Sequence, residues 1–278
     1  MGHMSSWIAV NQAGALLYLS IGFIIINLFL GPEQCGRYAP VALWVMLLGA
    51  LGGTISDVFA PIALEYIAHF KLDVLALQMR RSTKFIGLVM GFPVGLLCGL
   101  STPILIRWLG LTFADLGPLV WLLVGPWLVN ITIRPMFAIY RGLNKVKVPA
   151  IVTIIGGIIN VLLSILLIRY TALGIYSIAL SLSLCLTVKN LFFTPIYAAI
   201  ITAQPKAAFI REIFPGLGMA ALVSLVALAL SRMYDLASIP RLLTTGVLMV
   251  VVYAPLCYGV ILDKQERVLL KSMILRQG

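Results

Sequence analysis

Charged residues are scarce in this sequence. Only 10% of the 278 residues are Asp, Glu, Lys or Arg, whereas 62% are hydrophobic. A soluble domain carries about 25% charged residues, so this composition excludes a soluble fold. The net charge of +11 is dispersed over separate loops and forms no basic stripe, so we expect no nucleic-acid partner.

The residue types that build metal and catalytic sites are also rare. The chain has two histidines and four cysteines, and the cysteines show no spacing typical of a disulfide framework or a metal site. No nucleophile with a nearby base and no cluster of His, Asp and Glu stands out. We therefore expect no enzyme, no metal and no cofactor.

What the sequence has in abundance is long apolar segments. About 20 apolar residues suffice to cross the hydrocarbon core of a membrane as a helix. Eight such segments predict an all-α, polytopic membrane helix bundle. They are Ile8–Leu30, Tyr38–Ala60, Phe85–Leu109, Leu116–Ile139, Val148–Ile168, Leu173–Ala199, Phe214–Leu230 and Leu242–Leu262.

The loops between these segments alternate in charge. One set of loops holds most of the cations, and the opposite set holds fewer, partly offset by Glu33, Asp115 and Asp235. Because Lys and Arg concentrate in cytoplasmic loops, the pattern places both termini in the cytoplasm. An even number of spans likewise requires both termini to lie on the same side. The cations assigned to the cytoplasm are Lys71, Arg80, Arg81, Lys84, Arg141, Lys145, Lys147, Lys206, Arg211, Lys264, Arg267, Lys271 and Arg276.

The chain divides into two expected units. Residues 1–202 form a six-helix transmembrane lobe, and residues 203–278 a two-helix transmembrane appendage with a short cytoplasmic tail. The linker between them contains Pro205 and Pro215, and the last two spans carry almost no polar side chains at mid-depth. Residues 63–84 mix apolar and charged positions, which suits an amphipathic helix at the cytoplasmic interface or, equally, a helical extension of the second span.

Three charged residues lie at membrane depth, each shortly before a proline. They are Asp57 before Pro61, Arg134 before Pro135 and Lys189 before Pro195. A charge inside a membrane is costly and usually faces a cavity or a partner. Two interpretations stay open: the cations extend to the interface with Asp57 as a structural ion-pair partner, or all three line a water-filled, cationic cavity that attracts an anionic head group.

Asparagines at membrane depth join helices more often than they bind ligands. Asn11 opens the first span and Asn160 is central in the fifth. Our candidate substrate-binding set is therefore led by the three charged residues and completed by these two amides. It comprises Arg134, Lys189, Asp57, Asn11 and Asn160.

Several stretches carry a family resemblance. They are Arg141-Gly142-Leu143-Asn144-Lys145-Val146-Lys147-Val148-Pro149-Ala150, the span with Gly157, Asn160 and Val161, the turn Leu173-Gly174-Ile175, the opening Trp7, Asn11 and Gly14, and Gly36-Arg37-Tyr38-Ala39. The chain resembles the polysaccharide (O-antigen, lipid-linked oligosaccharide) flippase branch of the multidrug/oligosaccharidyl-lipid/polysaccharide exporter superfamily. It resembles the C-terminal lobe of those proteins followed by their two trailing helices.

The resemblance implies a function and a set of partners. The substrate would be a polyprenyl-pyrophosphate-linked oligosaccharide, moved across the bacterial inner membrane for synthesis of surface polysaccharide such as lipopolysaccharide. Arg134 and Lys189 would contact the pyrophosphate, and Asp57 would orient them or couple to an ion. Partners would be membrane lipids and a second chain that supplies an N-terminal lobe, because the family's cavity lies between two lobes that rock against each other.

Two alternatives stay open. A cation-coupled small-molecule exporter of the multidrug branch would need intramembrane acids, and Asp57 is the only deep one. An inactive fragment or membrane scaffold would fit a chain with a single lobe. A drug-efflux assay lost on Asp57→Asn would favour the first, and a stable, inactive monomer the second.

Overall fold

A computed structural model describes residues 2–234 and 238–261, and these residues form helices and no β-strand. Eight helical spans are long and apolar enough to cross a membrane, which confirms the predicted all-α polytopic bundle. Spans 1 to 8 are Ser6–Leu30, Pro32–Ala68, Leu72–Gly99, Leu111–Gly142, Lys147–Tyr170, Ile175–Ile201, Ala208–Met233 and Pro240–Gly259. Asp235, Leu262 (the last residue of the predicted eighth span) and the predicted cytoplasmic tail after it lie outside the described residues.

Several spans consist of more than one helix. The α-helices are α1 (Gly2–Leu19), α2 (Ile21–Leu30), α3 (Pro32–Asp57), α4 (Ala60–Ala68), α5 (Leu72–Gly99), α6 (Ser101–Leu109), α7 (Gly117–Thr132), α8 (Arg134–Gly142), α9 (Lys147–Tyr170), α10 (Ile175–Val188), α11 (Thr194–Ile201), α12 (Ala208–Arg211), α13 (Phe214–Met233) and α14 (Ile239–Leu256). A 3-10 helix (Leu111–Leu116) precedes α7, and π-helical segments follow α10 (Lys189–Phe193) and α14 (Cys257–Ile261).

Residues 63–84, which we predicted to lie on the cytoplasmic side, divide between two spans, so the extension of span 2 holds only as far as Ala68. Span 2 continues through α4 to Ala68, the chain reverses at residues 69–71, and α5 begins at Leu72. Leu75 and Met79 are fully buried in a cluster with Ile139 and Phe209. The surface-helix interpretation is therefore wrong for residues 72–84, because their apolar side packs inside the bundle. These residues instead form the first part of span 3.

The bundle core forms where spans 1 to 6 pack on one another. The most extensive contacts within it join α1 to α9, α5 to α7, and α10 to both α9 and α7. At the end that the charge pattern places outside, Arg37 Nη2 lies 2.5 Å from Asp115 Oδ2. Tyr176 donates a hydrogen bond to the Asp115 carbonyl at 3.0 Å. Spans 2, 4 and 6 are thus fastened together at that end.

Span 7 packs closely on span 3 through small residues. Gly87, Gly91, Gly95 and Gly99 follow one side of α5, and a Cβ on Gly95 would lie 2.6 Å from the Ala220 carbonyl oxygen of α13. The Ser224 hydroxyl donates to the Gly95 carbonyl at 3.0 Å. Small residues allow such close approach of membrane helices. The predicted boundary at 202/203 falls in a loop, but span 7 is attached to the first six spans along its length.

Candidate functional site

A cavity of about 470 Å³ lies between spans 1, 2, 4, 5 and 6. Nearly all of its lining residues lie toward the ends of these spans that the charge pattern assigns to the cytoplasm, and Leu19 and Leu186 lie just past the midpoints of spans 1 and 6. Its polar and charged lining residues are Asn11, Gln12, Ser56, Asp57, Asn130, Arg134, Arg141, Thr153, Lys189, Asn190 and Thr194. Four of the five predicted site residues therefore share one cavity, and Asn160 does not line it.

Each of the three intramembrane charges sits where a helix is interrupted. Asp57 is the last residue of α3, Arg134 is the first of α8, and Lys189 begins the π-helical segment after α10. A proline follows each of them, and proline lacks the N–H that would bond the carbonyl one turn earlier. The interruptions bring side chains of three different spans toward the same cavity.

Lys189 is held in place by two other spans. Its Nζ donates a hydrogen bond to Thr153 Oγ1 of α9 at 3.1 Å and lies 5.7 Å from the centre of the Tyr18 ring of α1. A hydroxyl acceptor and an aromatic face both stabilise an ammonium group. Tyr18 itself is only 2% exposed, so the position of Lys189 is fixed by a buried neighbour.

Arg134 lies against the backbone of α3. A Cβ built on Gly53 would be 2.6 Å from Arg134 Nη1, and one on Gly49 would be 3.7 Å from Nη2. Among the described residues the guanidinium has neither a hydrogen bond nor an ion pair within 4.0 Å. The charge of Asp57 acts on it from farther away. Its N–H groups are thus available to a ligand.

A chain of hydrogen bonds connects spans 4 and 6 along one wall. The Asn190 amide donates to the Asn130 side-chain oxygen, and the Thr194 hydroxyl donates to Asn190 Oδ1 at 3.0 Å. The Tyr140 hydroxyl donates to the Thr194 carbonyl. This network fixes the π-helical segment of span 6 against α7 and α8, and with it the backbone that carries Lys189.

The two predicted amides have different surroundings. Asn11 is half-buried and lines the cavity. Asn160 is buried between helices, donates to the Leu17 carbonyl at 3.2 Å and accepts from the Ser181 hydroxyl at 3.0 Å. Its geometry is that of a helix-joining amide connecting spans 1, 5 and 6.

Several cavity residues were absent from the predicted set. Trp7 and Tyr18 lie on the same side of α1 as Asn11, at helical spacings that could have indicated a shared surface. Thr153, which lines the cavity, and Gly53, which does not, gave no signal, because a threonine or a glycine is ordinary in a membrane helix. Their contacts with Lys189 and Arg134 join residues far apart in sequence.

Comparisons with known proteins agree with a membrane location. Over 262 residues the chain is 35% identical to a protein of Bacillus subtilis (strain 168) described as "Uncharacterized membrane protein EpsK". The alignment covers 94% of this chain and 52% of that protein, in its C-terminal half, so the chain spans about half the length of this curated relative. No protein-family model and no solved structure matches the chain. The similarity and the eight membrane-length helices together identify a multi-pass membrane protein.

Proposed function

We propose that this chain belongs to a flippase that moves a polyprenyl-pyrophosphate-linked oligosaccharide across the bacterial inner membrane. One observation carries the proposal: Arg134 and Lys189, both at membrane depth, line one cavity at helix interruptions and retain unused hydrogen-bond donors. The proposed activity is transport without a chemical step. A transporter of this type provides a binding site for the substrate, a path across the membrane, and a conformational change that opens the site to the other side.

The charge of the cavity favours an anionic ligand. Its lining includes Arg134, Arg141 and Lys189, with Asp57 as the one carboxylate among the described lining residues. Arginine presents a planar fork of donors that matches phosphate oxygens, and lysine acts as a point charge beside it. A pyrophosphate would satisfy both groups and offset the cost of keeping them away from bulk water.

The remaining lining suits a glycan. Amides can donate to and accept from sugar hydroxyls, and aromatic rings offer apolar faces to the C–H surface of a sugar ring. The cavity carries both kinds of group beside the charged residues. These are Asn11, Gln12, Asn130, Asn190, Trp7, Trp127, Phe137 and Phe193.

The helix interruptions favour a transporter over a static scaffold. In many transporters, discontinuous helices supply the substrate site and one helical unit moves against another around it. We propose that a second group of spans completes the cavity, in line with the relative that is about twice as long. The cavity occupies the predicted cytoplasmic half, the side on which a lipid-linked precursor would enter.

A binding measurement tests the proposed function. The full chain in lipid nanodiscs is titrated with geranylgeranyl diphosphate and, as a neutral control of equal chain length, with geranylgeraniol. We expect the diphosphate to bind at least about tenfold more tightly, and Arg134→Ala to abolish most of this preference. Equal affinity for both lipids would contradict the proposal, and binding of a cationic drug that Asp57→Asn removes would favour the multidrug alternative.

A further inference from the structure

The side of α3 that faces Arg134 has a notch formed by glycines. Gly49 and Gly53 are one turn apart, and the two terminal nitrogens of the guanidinium lie over these two residues. A Cβ on Gly53 would lie 2.6 Å from Nη1, too close for a non-bonded contact, whereas one on Gly49 would lie 3.7 Å from Nη2, an ordinary contact distance. Only position 53 therefore requires glycine for Arg134 to stay where it is.

We infer that Gly53 is a positioning residue for anion binding. Because it has no side chain, the Arg134 guanidinium can lie against α3, apart from Asp57. This inference rests on the proposed function and assigns a role that the cavity lining alone does not reveal. Gly53 is buried and makes no contact of its own with the cavity.

The position of Asp57 explains why the separation matters. Residues four apart lie on the same side of a helix, so Gly49, Gly53 and Asp57 follow one another along α3. The guanidinium lies beside the two glycines and more than 4.0 Å from the Asp57 carboxylate. The two groups therefore form no ion pair. A guanidinium in an ion pair with Asp57 would offer less charge and fewer N–H groups to a phosphate.

A methyl group at position 53 would change this arrangement at little cost to the fold. The atom it meets is the end of a flexible side chain, which can move, and no backbone atom of another described helix lies within 4 Å. The displaced guanidinium would be drawn to the nearest carboxylate, Asp57, one turn farther along α3. The expected consequence is a neutralised pair and a weaker anion site in a correctly folded protein.

The experiment compares two matched variants, Gly53→Ala and Gly49→Ala, in the full chain in nanodiscs with geranylgeranyl diphosphate as the probe. We expect Gly53→Ala to weaken binding about tenfold and Gly49→Ala to change it by less than about twofold. Gly53→Ala should have no further effect in an Arg134→Ala background, and Asp57→Asn added to Gly53→Ala should restore most of the affinity. A purely structural effect of the methyl group would persist in the Arg134→Ala background and would overturn the inference, as would equal losses in both glycine variants.

A second readout separates this inference from the proposed function. Labelling of Asp57 by a carbodiimide, measured by peptide mass spectrometry, needs no substrate. Pairing with Arg134 should slow labelling several-fold in Gly53→Ala but not in Gly49→Ala, and unchanged labelling in Gly53→Ala would contradict the role of Gly53. If the unaltered chain shows no selectivity for the diphosphate but the labelling difference persists, the proposed function is refuted and the role of Gly53 is not.

Discussion

At the scale of single residues, the charged side chains could be predicted from the sequence and their neighbours could not. Asp57, Arg134 and Lys189 stand out because charge at membrane depth is rare and costly. The residues that hold them, Thr153 and Gly53, are common types whose importance arises only from tertiary contacts. The candidate set therefore included the charges that line the cavity but omitted the contacts that fix them.

Thr153 tests whether the fixed position of Lys189 matters. Thr153→Val keeps the shape of the side chain and removes the hydroxyl that accepts from Lys189 Nζ at 3.1 Å. We expect a loss of about threefold to tenfold in geranylgeranyl diphosphate affinity, because the ammonium becomes less well ordered. Thr83→Val is the matched control, since the Thr83 hydroxyl bonds the Met79 carbonyl of its own helix, outside the cavity. Equal effects of both substitutions would refute the role given to Thr153.

Asn160 tests the distinction between an amide that joins helices and one that binds substrate. Asn160→Leu removes the bonds to the Leu17 carbonyl and the Ser181 hydroxyl. Interhelical hydrogen bonds of this kind contribute about 0.6–2 kcal/mol, so the variant should unfold at a lower temperature in detergent. Diphosphate affinity, measured well below that temperature, should stay within about twofold. A large loss of affinity at unchanged thermal stability would return Asn160 to the binding site.

At the scale of elements, hydropathy predicted all eight spans but not their internal breaks. The apolar runs indicate where a helix crosses the membrane. They do not reveal that α5 begins at Leu72, since its first turns mix charged residues with a buried apolar side. Nor does a proline in the sequence specify whether the helix restarts, as at Arg134, or widens into a π-helical segment, as at Lys189.

Pro135 tests the contribution of one helix interruption. Pro135→Ala restores a backbone donor between α7 and α8 and should make the two helices more continuous. Arg134 would then leave the notch on α3, so we expect weaker diphosphate binding together with equal or higher thermal stability. The measurement is a titration and a thermal unfolding scan on the same sample. Unchanged affinity with raised stability would show that the interruption does not position Arg134.

At the scale of the whole molecule, the charge pattern predicts toward which side of the membrane the cavity faces. It assigns the half of the bundle that contains the cavity to the cytoplasm and the end with the Arg37–Asp115 ion pair to the outside. This arrangement matches a site that loads from the cytoplasm. The extent of the proposed second group of spans could not be predicted from the sequence, because one wall of a cavity does not specify the helices that close it.

The orientation can be measured with two single cysteines in a chain whose four native cysteines are replaced. Lys145→Cys places an exposed thiol in the loop before span 5, and Tyr170→Cys places one at the last residue of that span. A membrane-impermeant maleimide added to intact spheroplasts should label the cysteine at position 170, and label that at position 145 only after permeabilisation. The reverse pattern would turn the cavity toward the outside and contradict cytoplasmic loading.

We expect the cavity between spans 1, 2, 4, 5 and 6 to bind a lipid-linked diphosphate head group. The most direct test of this expectation is photo-crosslinking in nanodiscs with a polyprenyl-diphosphate-linked oligosaccharide that carries a photoreactive group on the glycan, followed by mapping of the modified peptides. We expect modification of the peptides of α1 and α8 that line the cavity, and we expect it to be lost in the Arg134→Ala/Lys189→Ala double variant. Modification confined to the lipid-facing side of span 8, or unaffected by the double variant, would contradict it.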